Sequence, residues 1–171
     1  MKLNLNIRNM KLILFLSAFL LAFQIQAETE KSNSAPAFSA GLISGPYLPS
    51  KVPGVEEILK VVGLRIGTNT NLGSFESEGW IANGYGVHFN SVAFNYRLNI
   101  INDYLPVHAL VGLHIDSYTK PDSTSASGGG WQMGGGAEAK LFGPLLVRSD
   151  FEYRIGPGNS LLVLVSLMLG F

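Results

Sequence analysis

Three histidines, His88, His108 and His114, and no cysteine narrow the chemistry open to this 171-residue chain. Scattered imidazoles without thiols have no metal-ligand spacing, so neither a metal nor a cofactor is expected. Ester hydrolysis needs a hydroxyl nucleophile beside an oriented base. His88 and Ser91 are three apart, as are His114 and Ser117, and on a regular strand that spacing puts each pair on opposite faces. A dyad would have to form across two strands, with Ser91 opposite His114. A denser pattern lies at Arg148, Asp150, Glu152 and Arg154, where four charges occupy alternate positions. Ion pairing, rather than catalysis, is the chemistry such a row is suited to.

The element that must carry these charges is a strand with two unlike faces. Leu145, Val147, Phe151, Tyr153 and Ile155 alternate with the charges, and a midplane Arg facing lipid costs roughly 2–4 kcal/mol. The charges therefore point into a lumen, where they need partners. Eight strand-like segments are read at roughly 37–46, 60–68, 73–82, 87–100, 104–116, 130–141, 145–156 and 160–171, separated by Gly, Pro, Asn and Ser clusters. The same alternation places Arg65, Glu76, Glu78, Arg97 and Glu138 inside with Arg148, Asp150, Glu152 and Arg154, as a lumen charge network. A three-residue turn at 142–144 sets Glu138 opposite Arg148, a four-residue turn at 69–72 sets Arg65 opposite Glu76, and a tight turn brings Arg97 near His108. Around His88 to Asn90 the alternation is expected to slip at a bulge. Trp80 falls on the inward face of a charged strand, an unresolved placement.

The last strand, Ser160 to Phe171, carries no charge, and every second residue back from Phe171 is apolar. A helix of that length reaches only about 18 Å, whereas a tilted strand spans a bilayer with roughly 9–11 residues. At the other end, Lys2, Arg8 and Lys11 precede the apolar run Leu12 to Phe23 and then Ala27, the order of a secretory signal peptide. The expected division is therefore a signal peptide over 1–27, a short periplasmic segment over 28–36 and a barrel over 37–171. The remaining 171 − 27 = 144 residues hold 12 − 3 = 9 basic and 12 acidic side chains, a net charge of −3, which argues against nucleic acid as a partner. Charged residues make up 14% of the chain, well below the roughly 25% of soluble domains. A lipocalin-like soluble barrel would need a charged outer face and is disfavoured on that ground.

The C-terminal pattern Val165, Leu167, Leu169, Phe171 resembles the terminal strand of bacterial outer-membrane barrels, which the barrel assembly machinery reads. Strand number, size and alternating connections extend the likeness over the whole mature chain, which resembles the small eight-stranded outer-membrane barrels of the OmpA/OmpX type. The resemblance implies an all-β, eight-stranded antiparallel up-and-down transmembrane barrel. It also implies outer-membrane lipid and the assembly machinery as partners, and a monomeric state. The function expected is structural or surface-interacting and non-enzymatic, with the outer connections carrying any specificity for a surface partner. The alternative is a lipid A-modifying enzyme at the barrel rim. The barrel deacylases, however, place Ser two residues after His, and neither His88 nor His114 fits that motif.

Two connections are read as long. Residues 47–59 carry aliphatic side chains and a helical turn from Pro53, and 117–129 is a mobile, solvated Ser, Thr and Gly segment. No helix follows the glycines near 130, so no phosphate loop is formed.

Overall fold

In the computed structural model, residues 37–50, 57–69, 73–100, 106–120, 122, 124–156 and 158–171 are described. The signal-peptide reading, the periplasmic segment and the helical turn from Pro53 onward lie outside those residues. The chain forms β1 (Phe38–Pro49), β2 (Leu59–Asn69), β3 (Gly73–Gly84), β4 (Val87–Ile100), β5 (Val107–Thr119), β6 (Ser125–Phe142), β7 (Leu145–Ile155) and β8 (Ser160–Gly170). Each strand pairs antiparallel with its sequence neighbour, and β8 closes on β1. Closure leaves no edge in the ring, and every strand finds hydrogen-bond partners on both sides. At the seam, Phe171 N–H donates to Phe38 O at 2.8 Å and Phe38 N–H donates to Phe171 O at 3.2 Å. Gly41 and Gly45 on β1 lie so close to the Leu167 and Val163 carbonyls of β8 that neither could carry a Cβ without movement.

The face assignments follow the alternation. On β7, Leu146, Arg148, Asp150, Glu152 and Arg154 are buried, while Phe151, Tyr153 and Ile155 are exposed. On β8, Ser160, Leu162, Leu164, Ser166 and Met168 are inside, with Leu167, Leu169 and Phe171 outside. Large apolar side chains ring the exterior, among them Leu64, Phe94, Leu113 and Trp131.

Several expectations are corrected. The sixth strand begins at Ser125, not residue 130, because Ser117, Tyr118 and Thr119 pair with Ser127, Ala126 and Ser125. Most of the segment read as a mobile 117–129 loop is thus a continuation of the β5–β6 hairpin, and small side chains without charge permit that pairing. The first connection is shorter as well, since Tyr47 pairs with both Leu59 and Leu162. No bulge occurs at His88 to Asn90, where β4 stays in register with β3 and β5. Instead the polarity inverts: Val87 and Phe89 point inward and His88 and Asn90 outward. The bulge lies in β6, where the register shifts between Lys140 and Phe142 and a two-residue turn follows at Gly143 and Pro144. Gly143 takes φ 53°, a left-handed conformation that glycine adopts without strain.

Candidate functional site

The lumen holds the strongest concentration of chemistry. Arg65, Arg97, Arg148 and Arg154 are buried there with Glu76, Glu78, Asp150 and Glu152, four cations against four anions. Burying a charge costs several kcal/mol unless it is paired and hydrogen-bonded, and these guanidiniums each face two or more acceptors. Arg65 Nη2 donates to Glu78 Oε2 at 2.8 Å and to Glu152 Oε1 at 3.0 Å, while Nη1 donates to Ser166 Oγ at 3.0 Å and to the Asp150 carboxylate. Arg148 donates to Glu76 Oε1 at 2.5 Å and to Asp150 Oδ1 at 2.9 Å. Arg154 donates to Glu78 Oε1 at 2.8 Å, Ser91 Oγ at 2.6 Å and Asp116 Oδ1 at 3.1 Å. Arg97 donates to Glu138 Oε2 at 2.7 Å and to Ser74 Oγ at 2.8 Å, and Ser74 donates on to Glu76 at 3.1 Å. The chain of contacts is continuous from Arg97 through Glu76, Arg148, Asp150, Arg65 and Glu78 to Arg154.

All nine charged residues singled out from the sequence therefore lie on one connected interior surface, contributed by β2, β3, β4, β6 and β7. Their detailed partners differ from the expected ones. Glu138 is the register neighbour of Arg148, but the Arg148 guanidinium turns to Glu76 and Asp150, and Glu138 engages Arg97 across the lumen. Arg65 is in register with Glu78 rather than Glu76. The two-residue offset leaves every side chain on its face, which is why alternation did not distinguish the two registers. Arg97 pairs in register with Leu110, and it is Asn99 that lies opposite His108.

Residues outside the expected set complete the network. His108 Nε2 lies 2.7 Å from Asp150 Oδ1, Gln132 Nε2 donates to Asn95 Oδ1 at 2.6 Å, and Asp116, Ser91 and Ser166 accept from arginines. Their inward parity was readable, but short polar side chains gave no signal that an arginine reaches them. The cross-strand dyad does not form in register: Ser91 is opposite Asp116, and His114 is opposite Ala93. Ser91 Oγ is occupied by Arg154. His114 Nδ1 lies 2.9 Å from Asp116 Oδ2 without hydrogen-bond alignment, and neither ring nitrogen has a hydrogen-bond partner among the described residues. His88 faces outward, 2.7 Å from Asn83 Oδ1. Among the described residues no group of three His, Asp or Glu has a metal-binding arrangement.

Beyond the charges, toward the end opposite the β1–β8 seam termini, the interior becomes apolar. Trp80 is placed here, stacked on Phe89 with ring centroids 5.5 Å apart and beside Tyr47 at 5.7 Å. Ile43, Leu59, Val61, Ala82, Val87, Leu162 and Leu164 pack with them. The sequence alone does not indicate this cluster, because Tyr47 falls in a segment that reads as a connection and Phe89 in one where the alternation of polar and apolar positions breaks.

No family model and no curated protein matches the chain. Among solved structures, Neisserial surface protein A is similar with a TM-score of 0.59 at 12% identity, over 81% of this chain and 100% of that one. Ail of Yersinia pestis superposes with a TM-score of 0.45 at 10% identity, over the same shares. At such identity the likeness to the Neisserial protein concerns the fold. With strands, order and closure as described, this chain has the all-β, eight-stranded antiparallel barrel fold of the small outer-membrane barrels.

Proposed function

We propose that the protein is an integral outer-membrane barrel with a structural or surface-interaction role and a lumen filled by its own side chains. One observation carries the reading: arginines and carboxylates are buried inside while Leu64, Phe94, Leu113, Trp131 and Leu167 are exposed outside, the reverse of a barrel made for water. In this reading the β1 start and β8 end face the periplasm, outer-membrane lipid surrounds the apolar belt, and Val165, Leu167, Leu169 and Phe171 form the signal for the assembly machinery. The barrel acts as a monomer, and its outer connections meet any surface partner.

The polar belt above the lipid supports that orientation. Lys60, Asn83, His88 and Asn90 face outward near the end opposite the seam termini, where a headgroup and water environment suits them. A non-enzymatic role is favoured because Ser91 is held by Arg154 and is out of register with His114.

The membrane reading is tested by gel migration of unheated and boiled membrane fractions together with circular dichroism. A heat-modifiable band and a β-sheet spectrum are expected, and a chain recovered soluble from the periplasm overturns the reading. Catalysis is tested by mass spectrometry of lipid A from cells with and without the protein. No difference is expected. An acyl-chain difference abolished by Ser91→Ala or His114→Ala would make the barrel an enzyme.

A further inference from the structure

The interior of the barrel changes character at the level of Trp80. On the side of the seam termini it is ionic; beyond, Tyr47, Leu59, Val61, Trp80, Phe89 and Leu162 form a layer in which no residue is more than 2% exposed. The rings are in direct contact, with Tyr47 and Phe89 centroids at 5.0 Å and Phe89 stacked on Tyr118 of β5 at 5.7 Å. That layer covers the arc from β8 through β1 to β5. On the remaining arc the His114 ring, 2% exposed, lies against Gly130 of β6 and Gly156 just after β7, with the 13%-exposed Asp116 carboxylate above it. A methyl group on Gly130 would fall 2.8 Å from the His114 Nε2, and one on Gly156 would fall 3.2 Å from its Cε1. Glycine at both positions leaves room for the imidazole, and at Gly130 also for the Ile155 carbonyl, which lies closer still.

The apolar layer is also tied to the ionic one. Arg154 lies with its Cζ 4.9 Å from the Trp80 ring centroid while it donates to Glu78 and Ser91, a cation–π contact in a desolvated setting. The opposite mouth has no aromatic layer among the described residues, although Leu110, Leu146 and Met168 are buried near it. There the Glu138 side chain is 25% exposed, and Lys140 is half-buried.

We infer that the lumen is a one-sided vestibule, closed to the outer medium by an aromatic plug and reached by water-soluble reagents only from the mouth at the seam termini. The inference rests on the membrane reading proposed above and goes beyond it, because it assigns the seal of the outer end to the ring layer, above the charges that fill the middle of the lumen. An apolar constriction of this kind excludes water and, with it, ions. Access to Arg97, Glu138 and Lys140 is then from the periplasm alone.

The chain contains no cysteine, so single-cysteine variants report access directly. Tyr85→Cys marks the exposed β3–β4 tip, Ser91→Cys is nearly isosteric and lies inside at the level of Trp80, and Lys140→Cys marks the other mouth. A membrane-impermeant charged maleimide is applied to intact cells and to cells with a permeabilised outer membrane. From outside, Ser91→Cys should react at least about tenfold more slowly than Tyr85→Cys, as a buried thiol does. Lys140→Cys should react only after permeabilisation. Adding Phe89→Ala, or Trp80→Ala where the first does not give a heat-modifiable band, should speed labelling of Ser91→Cys from outside. Labelling of Ser91→Cys at the Tyr85→Cys rate without a plug mutation, or no labelling of Lys140→Cys in permeabilised cells, overturns the one-sided vestibule. If Tyr85→Cys is unreactive in intact cells and reactive only after permeabilisation, the proposed orientation fails instead, and the plug with it.

Discussion

Arg65 holds the lumen network together, because its guanidinium reaches Glu78, Glu152 and Asp150 at once. Replacing it with Met leaves three buried carboxylates short of a cation, and breaking a buried pair from one side costs about 3–5 kcal/mol. Arg65→Met should lower stability by that order in urea titrations of the refolded protein, and a loss under 1 kcal/mol would mean the network is solvated. Arg148 offers a finer test. Its contacts run to Glu76 and Asp150, so the double-mutant cycle of Glu76→Gln with Arg148→Met should give a larger coupling than that of Glu138→Gln with Arg148→Met, within the range of about 0.5–3 kcal/mol seen for contacting residues. The reverse order would show that register proximity, and not the observed side-chain direction, governs the pair. At the β3–β4 turn, Tyr85 occupies φ 54° beside Gly86 at 77°. A left-handed non-glycine residue costs about 1–2 kcal/mol, which Tyr85→Gly should recover in part. Its hydroxyl donates to Glu57, which pushes the phenol above its ordinary range. A Tyr85→Gly variant less stable than the parent would show that this contact outweighs the strain.

At the scale of elements, glycine marks where strands and side chains approach most closely. Gly130 on β6 faces the Ile155 carbonyl and the His114 ring, with no room for a methyl group. Gly79 on β3 is the contrast, since the nearest atom to its missing Cβ is 3.9 Å away. Overpacking costs about 1–3 kcal/mol, so Gly130→Ala should lower the unfolding midpoint clearly while Gly79→Ala leaves it nearly unchanged. Equal effects would mean that the close approach of β6 to the Ile155 carbonyl and the His114 ring is relaxed at little cost. The β5–β6 hairpin also shows how weak side-chain signals mislead. Ser, Thr and Gly read as loop, yet paired backbone holds Ser125 to Gly130 against His114 to Thr119.

For the whole molecule, the decisive property is the reversal of polarity between lumen and exterior, with a second reversal beyond the belt where Phe89 turns in and His88 out. The C-terminal Phe171 is 69% exposed, so its side chain contributes little packing to the barrel. Phe171→Ala should therefore reduce insertion into the outer membrane of cells while leaving refolding from urea into detergent nearly unaffected. Impaired refolding to the same degree would assign Phe171 to barrel stability and remove the argument that its pattern serves recognition.

The amino-acid sequence by itself determined the eight strands, their order and the face of nearly every residue in β4, β5, β7 and β8. Side chains alternate with a period of two, so the face of each is a local property that spacing alone reports. The lumen location of Arg148, Asp150, Glu152 and Arg154 was legible for that reason. Tertiary structure decided the partners. Arg65 against Glu78 or Glu76 differs by two residues and leaves every face unchanged, and long guanidiniums reach across the lumen to strands that are not their neighbours, as Arg97 does to Glu138. It also decided the aromatic plug. Parity already puts Trp80 inside, but its stacking on Phe89 and beside Tyr47 depends on the register of β1 to β4, which no single strand sets.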